Sequence, residues 1–244
     1  MTDPTAALTL AGLTPDPFQV DLMQSTSDRI LLLASRQAGK SQTAACLAAH
    51  AAITAGALVL LLSPSQRQST ELFRKVVDVM NALGWPVPPT AESITRCELA
   101  NGARIVSLPG EPGTTRCYSA VDLLIIDEAA QGGEEMDNLY RTVRPMLAVS
   151  KGRLFALTSA WGKSGWFYEA WVSGDPSWAR FRVTADMVTR IGADFLASER
   201  EALGERVFRR EYFCEFEDTV GGVFCEADIR RAFENGKGIQ AIEI

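Results

Sequence analysis

The sequence predicts an α/β layer sandwich, a mostly parallel sheet between helices, and three observations carry that prediction. Apolar runs of strand length recur at Arg29 to Ala34 (RILLLA), Ala57 to Ser63 (ALVLLLS) and Val121 to Ile126 (VDLLII). Strands that are apolar at nearly every position are buried on both faces, the condition of a parallel sheet covered by helices. Segments of helix length follow the first two runs, and strands alternating with helices build α/β layers. Gly39-Lys40-Ser41 stands at the turn between the first strand and its helix, where the backbone amides of a helix N-terminus attract phosphate.

Taken in order, Pro17-Phe18-Gln19 opens an amphipathic turn ahead of the first strand. After RILLLA, the Ala-rich segment Ser41 to Ala55 reads as a helix. Pro64 ends the second strand, and Ser65 with Gln68 three residues later is a capping-box pair for a helix reaching about Leu83, which Gly84 and Pro86 stop. Leu99 to Leu108 alternates around Asn101-Gly102, a hairpin signal. Glu134 to Val149 fits a helix with Pro145 tolerated inside it, Arg153 to Thr158 (RLFALT) a strand, and Arg180 to Thr184 another. Past about Gly174 the character changes. Ala193 to Leu203 and Glu205 to Glu215 read as charged amphipathic helices separated by Gly204. The expected organisation is a core over residues 1–174, a small helical subdomain and linker over 175–225, and a tail over 226–244.

Composition narrows the chemistry. A chain of 244 residues can bury roughly 70 % of its unfolded surface, so it needs neither disulfide nor metal to hold a core. Its five cysteines, Cys46, Cys97, Cys117, Cys214 and Cys225, are scattered and never spaced Cys-x-x-Cys, which argues for reduced thiols and against a zinc site. The single histidine, His50, lies in an Ala-rich helical run, leaving no second histidine for a multi-His metal site. No apolar run approaches the ~20 residues that span a bilayer, and Met1-Thr2-Asp3-Pro4 opens no signal peptide, so no membrane partner is expected. The formal net charge of −6 speaks against a general nucleic-acid coat but leaves room for a local basic patch or a ring of several copies around DNA.

Four clusters carry chemistry. Ala34-Ser35-Arg36-Gln37-Ala38-Gly39-Lys40-Ser41 matches the P-loop pattern G-x-x-x-x-G-K-[ST] except that Ala34 occupies the first Gly position. In a P-loop the amides of residues 37–41 hold phosphate, Lys40 reaches the β- and γ-phosphates and Ser41 binds Mg²⁺; the alternative is an ordinary βα turn. VDLLIIDE ends in Asp127 and Glu128 at the carboxyl end of a buried strand, where open α/β sheets bind ligands. There Asp127 would hold Mg²⁺ through water and Glu128 would orient and deprotonate the attacking water. Together the two segments point to nucleotide hydrolysis. Thr158-Ser159-Ala160 ends the next strand, where hydroxyls fit either a sensor of the γ-phosphate or a helix cap. The Gln19 amide, next to Phe18, can bond both the donor and the acceptor edge of adenine.

The ordered set Phe18-Gln19, Ser35 to Ser41 (SRQAGKS), Leu123 to Ala130 (LLIIDEAA), Leu157 to Tyr168 (LTSAWGKSGWFY) and Glu211 to Phe224 (EYFCEFEDTVGGVF) resembles the large terminase subunit of tailed bacteriophages over about residues 14–225. An Arg inside the P-loop with the first Gly replaced is a habit of that family. The resemblance implies the additional-strand, catalytic-Glu type of P-loop ATPase with a helical lid. It further implies an ATP-driven ring on the capsid portal that pumps double-stranded DNA into an empty head. Gln19 then matches the adenine-recognition glutamine, Lys40 and Ser41 the phosphate and Mg²⁺ contacts, and Asp127 and Glu128 the metal carboxylate and catalytic base. Thr158 to Ala160 match the segment coupling hydrolysis to movement. Arg116, in Thr115-Arg116-Cys117-Tyr118-Ser119, matches the arginine finger inserted into a neighbour's site, although Cys117 stands where Gly is more usual; Arg36 is its rival.

The partners implied are double-stranded DNA, the portal protein, the small terminase subunit and further copies of the chain, in the host cytoplasm. An isolated motor domain can be monomeric in solution. The family's C-terminal nuclease domain is not expected here, and Asp186, Asp194, Asp218 and Asp228 are read as surface carboxylates. A helicase-like DNA-dependent ATPase and a non-catalytic portal- or DNA-binding subunit are the alternative readings. Arg67, Arg74, Lys75, Arg104, Lys151, Arg153 and Lys163 are the dispersed basic positions from which DNA contacts could come.

Overall fold

The structure, a computed structural model, describes residues 3–109, 115 and 117–218. The apolar runs become the inner strands of one eight-stranded sheet in the order β3-β4-β5-β2-β6-β7-β1-β8. Along the chain, α1 (Ala6–Leu10) and α2 (Pro17–Gln24) precede β1 (Arg29–Ala34), α3 (Lys40–Ala51), β2 (Leu58–Ser63) and α4 (Gln66–Ala82). An edge of β3 (Pro89–Glu92), β4 (Arg96–Leu99) and β5 (Arg104–Pro109) follows, then β6 (Leu123–Asp127), α5 (Gly133–Val143) and β7 (Arg153–Thr158). The chain continues through α6 (Gly165–Val172), β8 (Ala179–Val183), α7 (Ala193–Leu203) and α8 (Glu205–Phe213). Every pairing from β5 to β8 is parallel, and only the β3-β4-β5 edge is antiparallel.

Alternate strand residues feed two cores. Ile30, Leu32, Val59, Leu61, Ile125 and Phe155 face the layer of α1 to α4. Leu31, Leu33, Leu60, Leu124, Ile126 and Leu154 face α5 and α6. Each leucine so buried contributes about 1.5–3 kcal/mol relative to an exposed one, which is why the inner strands carry no polar alternation. The run of small buried residues Ala44, Ala45, Ala48 and Ala49 brings α3 close to the sheet and sets its N-terminus against the end of β1.

β7 lies between β1 and β6, so one strand separates the Gly-Lys-Ser strand from the Asp-Glu strand. This is the additional-strand arrangement. Its register sets Leu33 beside Thr158 and Asp127 beside Leu157, bringing three strand ends to one level.

Several elements differ from their sequence-based expectation. The helix expected through Val149 stops at Val143, and Arg144–Leu147 form a 3-10 turn. Pro145 lacks the N–H that an α-helix needs and its ring crowds the preceding turn. The helix after Lys40 ends at Ala51 and the last helix at Phe213, where Cys214 takes φ 57°. α1, β3 and α6 were not expected; β3 (PTAE) is fully exposed and has no apolar alternation to reveal it. Ser65 caps α4 as expected, accepting from Gln68 N at 3.3 Å. β8 begins after residue 174 and pairs with β1, so the sheet runs on past the expected core boundary. Beyond it, Ala185, Phe208 and Tyr212 form a separate small core under α7 and α8. Residues 219–244, which include the end of the junction, Cys225, Asp228 and the tail, lie outside the described residues, as does Arg116.

Candidate nucleotide-binding site

At the end of β1 the chain turns into a loop stitched to its neighbours: Ser35 N donates to Val183 O at 2.8 Å. Gln37 takes φ 61° and Gly39 φ 89°, so Gly39 caps α3 from the left-handed region. A side chain at Gly39 would be strained there, and its Cβ would lie 3.3 Å from Arg190 Nη2 and 3.4 Å from Gln19 Nε2. Ala34, by contrast, is a buried strand residue outside the left-handed region, so this loop does not need the glycine that the P-loop pattern has at that position. Lys40 is the first residue of α3 and is buried; its Nζ donates to Ala34 O at 3.3 Å and Ser35 O at 3.4 Å. The ammonium thus lies across the mouth of the loop, with Ser41 and the first free amides of α3 beside it.

Gln19 is held from both ends. Its Oε1 accepts from Asp16 N at 2.9 Å and its Nε2 donates to Thr43 Oγ1 at 2.8 Å, with Phe18 buried beside it. One amide proton and one lone pair remain for a ligand. The α2 start and the P-loop helix are therefore locked together at the place where a base would be read.

The carboxylates follow from β6. Asp127 is its last residue and is buried; Glu128 leaves the strand at φ 51° with its N–H donating to Asp127 Oδ1 at 3.0 Å. A left-handed Glu costs on the order of 1 kcal/mol, a strain that clusters at functional sites. Glu128 Oε2 accepts from Gln131 Nε2 at 2.8 Å, and Thr158 Oγ1 and Ser159 N each lie 3.4 Å from the same oxygen. Thr158 Oγ1 itself donates to Ser159 O at 2.8 Å and accepts from Ala130 N at 3.3 Å. Burial first, and the Glu128 charge second, push the Asp127 carboxyl up to about 7, with Lys40 acting the other way.

A buried acid beside a second acid is short of positive charge, and that is the property of a cation site. Asp127 and the Ser41 hydroxyl are hard oxygen donors of the kind Mg²⁺ takes alongside phosphate oxygens and water. No group of three or more His, Cys, Asp or Glu able to hold a metal exists among the described residues.

The structure sets Lys40 near Asp127 at the foot of the loop 35–41, puts Thr158 and Ser159 against Glu128, and holds Gln19 beside Gly39; Gln37, Ala38 and Ser41 are on the same loop and helix start, and Ala160 is buried after β7. Thr158 contacts Glu128 and caps no helix; α6 begins after Ser164 instead. Arg36 points elsewhere: its Nε meets Glu211 Oε2 at 2.5 Å and its N–H donates to Glu211 O at 3.0 Å, tying the P-loop to α8. Among the basic positions, Arg153 is structural, donating to Ser25 O and Ser27 O at 2.8 and 3.2 Å, and Lys163 pairs with Asp218. Sequence reasoning missed Thr43, Gln131, Arg190 and Glu211. Gln131, one turn after Glu128, was within reach of a spacing argument; Glu211, buried in a helix of charged residues, gave no signal.

The chain matches the family described as terminase large subunit, T4likevirus-type, N-terminal, over residues 31–231, and belongs to it. It is 22 % identical over 221 residues to the terminase large subunit of Escherichia phage T5, covering 87 % of this chain and 50 % of that protein. The chain thus spans about half the length of the curated relatives it matches. Among solved structures, the large terminase ATPase domain of Thermus phage P74-26 superposes with a TM-score of 0.74 at 21 % identity, covering 86 % of this chain and 96 % of that one. The large terminase of a second thermophilic bacteriophage, in complex with ATP-gamma-S, superposes at 0.63 with 12 % identity, covering 82 % and 52 %. The likeness to these two structures is one of fold.

Proposed function

We propose that this chain is the ATP-hydrolysing motor part of a large terminase, coupling Mg²⁺-dependent ATP hydrolysis to the movement of double-stranded DNA into a procapsid. The observation that carries the reading is the convergence of Lys40, Asp127, Glu128 and Thr158 at the level ends of β1, β6 and β7, beside the loop that Gly39 closes at the α3 N-terminus. The ATP-gamma-S complex of the second thermophilic-phage terminase supports the nucleotide.

The triphosphate lies along residues 35–41, its charge met by the α3 N-terminus and by Lys40, which exchanges the Ala34 and Ser35 carbonyls for phosphate oxygens. Ser41 and Asp127 would hold Mg²⁺, which would supply positive charge for the β- and γ-phosphoryl oxygens. Glu128 accepts a proton from water aligned on the γ-phosphorus, and Gln131, Thr158 and Ser159 keep its Oε2 aimed at that water. Phe18 and Gln19 receive the adenine. A cation for the charge on the transferring group comes from Arg116 of a neighbouring copy or from Arg36 released by Glu211. Thr158, Ser159 and Ala160 pass the loss of the γ-phosphate on to α6, and Arg36–Glu211 passes it to α8, so that the residues after the sheet move as a lid. Portal protein and small terminase subunit are the partners of that assembly in the host cytoplasm.

Steady-state turnover with and without double-stranded DNA tests the reading. Glu128→Ala should reduce turnover by at least about a hundredfold while ATP binding persists; turnover that survives in the variant assigns the base elsewhere.

A further inference from the structure

Arg190 lies between the 3-10 turn Ala185–Met187 and α7, in no motif of the sequence, yet its guanidinium reaches the back of the P-loop. Nη1 pairs with the Asp16 carboxylate, and Nη2 donates to Ala38 O at 3.2 Å. The same Nη2 lies 3.3 Å from where a Gly39 Cβ would stand, and Gln19 Nε2 lies 3.4 Å from that point. One planar fork therefore joins the residue before the capping glycine to the start of the helix that carries Gln19. Asp16 is only 5 % exposed, and this cation is its charged partner beside the capping-box bond from the Gln19 backbone.

We propose that Arg190 is a positioning residue for the nucleotide, holding the phosphate loop and the base-reading glutamine in one register; the inference rests on the nucleotide reading above. A P-loop presents its N–H groups to phosphate only while its carbonyls point away, and an outward carbonyl keeps that direction when a donor waits there. Arg190 is that donor for Ala38. At its other prong it holds Asp16, whose N–H bonds the Gln19 amide oxygen, so the orientation of Gln19 depends on where α2 begins. Removing the guanidinium frees the Ala38 peptide to turn and leaves a buried carboxylate without its counter-charge at the α2 start. Glu128 is held by Gln131 through a separate bond, with Thr158 packed against it. The loss therefore falls on binding and on the choice of base more than on the chemical step. Because Arg190 lies three residues before α7, the same contact links the root of the proposed lid to the binding site.

The test compares the wild-type chain with Arg190→Ala, Arg190→Lys and Asp16→Asn, by calorimetric titration with MgATP and MgGTP and by turnover. Arg190→Ala is expected to raise Kd and KM for ATP about tenfold, to change kcat far less, and to narrow the preference for ATP over GTP. Arg190→Lys, which keeps charge but has one prong, falls between, and serves as the probe if the alanine variant does not fold. Asp16→Asn added to Arg190→Ala should cost less than the two changes summed. If the wild type binds MgATP and both arginine variants bind it as tightly with unchanged ATP/GTP preference, Arg190 is a surface ion pair and the inference is overturned. A wild-type chain that binds no MgATP overturns the nucleotide reading, and this inference with it.

Discussion

At the scale of single residues, Asp127 shows what burying one carboxyl beside a second costs the protein. Its carboxyl stands at about 7 in the fold, against an ordinary value of 3.8, because it is buried beside Glu128. A folded-state pKa above the unfolded one means that the fold favours the protonated form. Asp127 therefore supports stability fully below about pH 4, and that support is lost as the pH rises through about 7. Asp127→Asn, which cannot ionise, should gain stability relative to the wild type as the pH rises from 5 to 8 without nucleotide or Mg²⁺. Thermal melts at the two pH values check it: a gap that does not widen with pH places the titration on another group. Thr158 makes a second residue-scale prediction. Its hydroxyl satisfies Ala130 N and Ser159 O and lies against Glu128, so Thr158→Val should leave Glu128 poorly aimed. A kcat lower by roughly tenfold with KM little changed is expected from initial rates.

Among the elements, the approach of β7 to the loop before β6 decides how level the strand ends are. Gly152 precedes β7, and a Cβ there would meet Val121 O at 1.9 Å, Val121 C at 2.9 Å and Asp122 O at 3.0 Å. All three are backbone atoms, which cannot rotate away. Gly152→Ala must push β7 from β6, at a cost of roughly 1–3 kcal/mol or more, and chemical denaturation should register it. Turnover per folded molecule should fall too, since the shift separates Thr158 from Glu128. Pro145 acts on the same unit by ending α5 and turning the chain back toward β7. α8 carries the other inter-element link: Glu211 is 6 % exposed and takes Arg36 on one oxygen and Arg210 on the other, at 2.5 and 2.8 Å.

For the molecule as a whole, the proposed mechanism makes the source of its arginine finger decide whether one chain completes its own site. If the finger is Arg116 of a neighbour, turnover per chain should rise with protein concentration. Arg116→Ala should then be partly rescued by mixing with Glu128→Ala, which still supplies the finger. Activity linear in concentration, with no rescue, would assign the role to Arg36. Nucleotide binding is separable from assembly: MgATP at a hundred times its Kd should stabilise the Glu128→Ala chain by about 2.7 kcal/mol, read as a rise in melting temperature. Among the described residues no helix is long and apolar enough to cross a membrane.

The sequence by itself determined the inner sheet and the two ends of the chemistry. Uninterrupted apolar runs have one stable environment, between two layers of helix, and Gly39-Lys40-Ser41 and Asp127-Glu128 are each local signals because their function depends on neighbours in the chain. Only the tertiary structure decided the strand order that sets Thr158 between them, the edge strand β3 with its wholly exposed residues, and the pairing of Arg36 with Glu211 and of Arg190 with Asp16 and Ala38. Those contacts join residues more than 150 positions apart. An arginine on a charged surface segment looks the same in sequence whether or not a loop's carbonyl waits for it, because what selects it is the geometry of the folded neighbour and not any periodicity of its own.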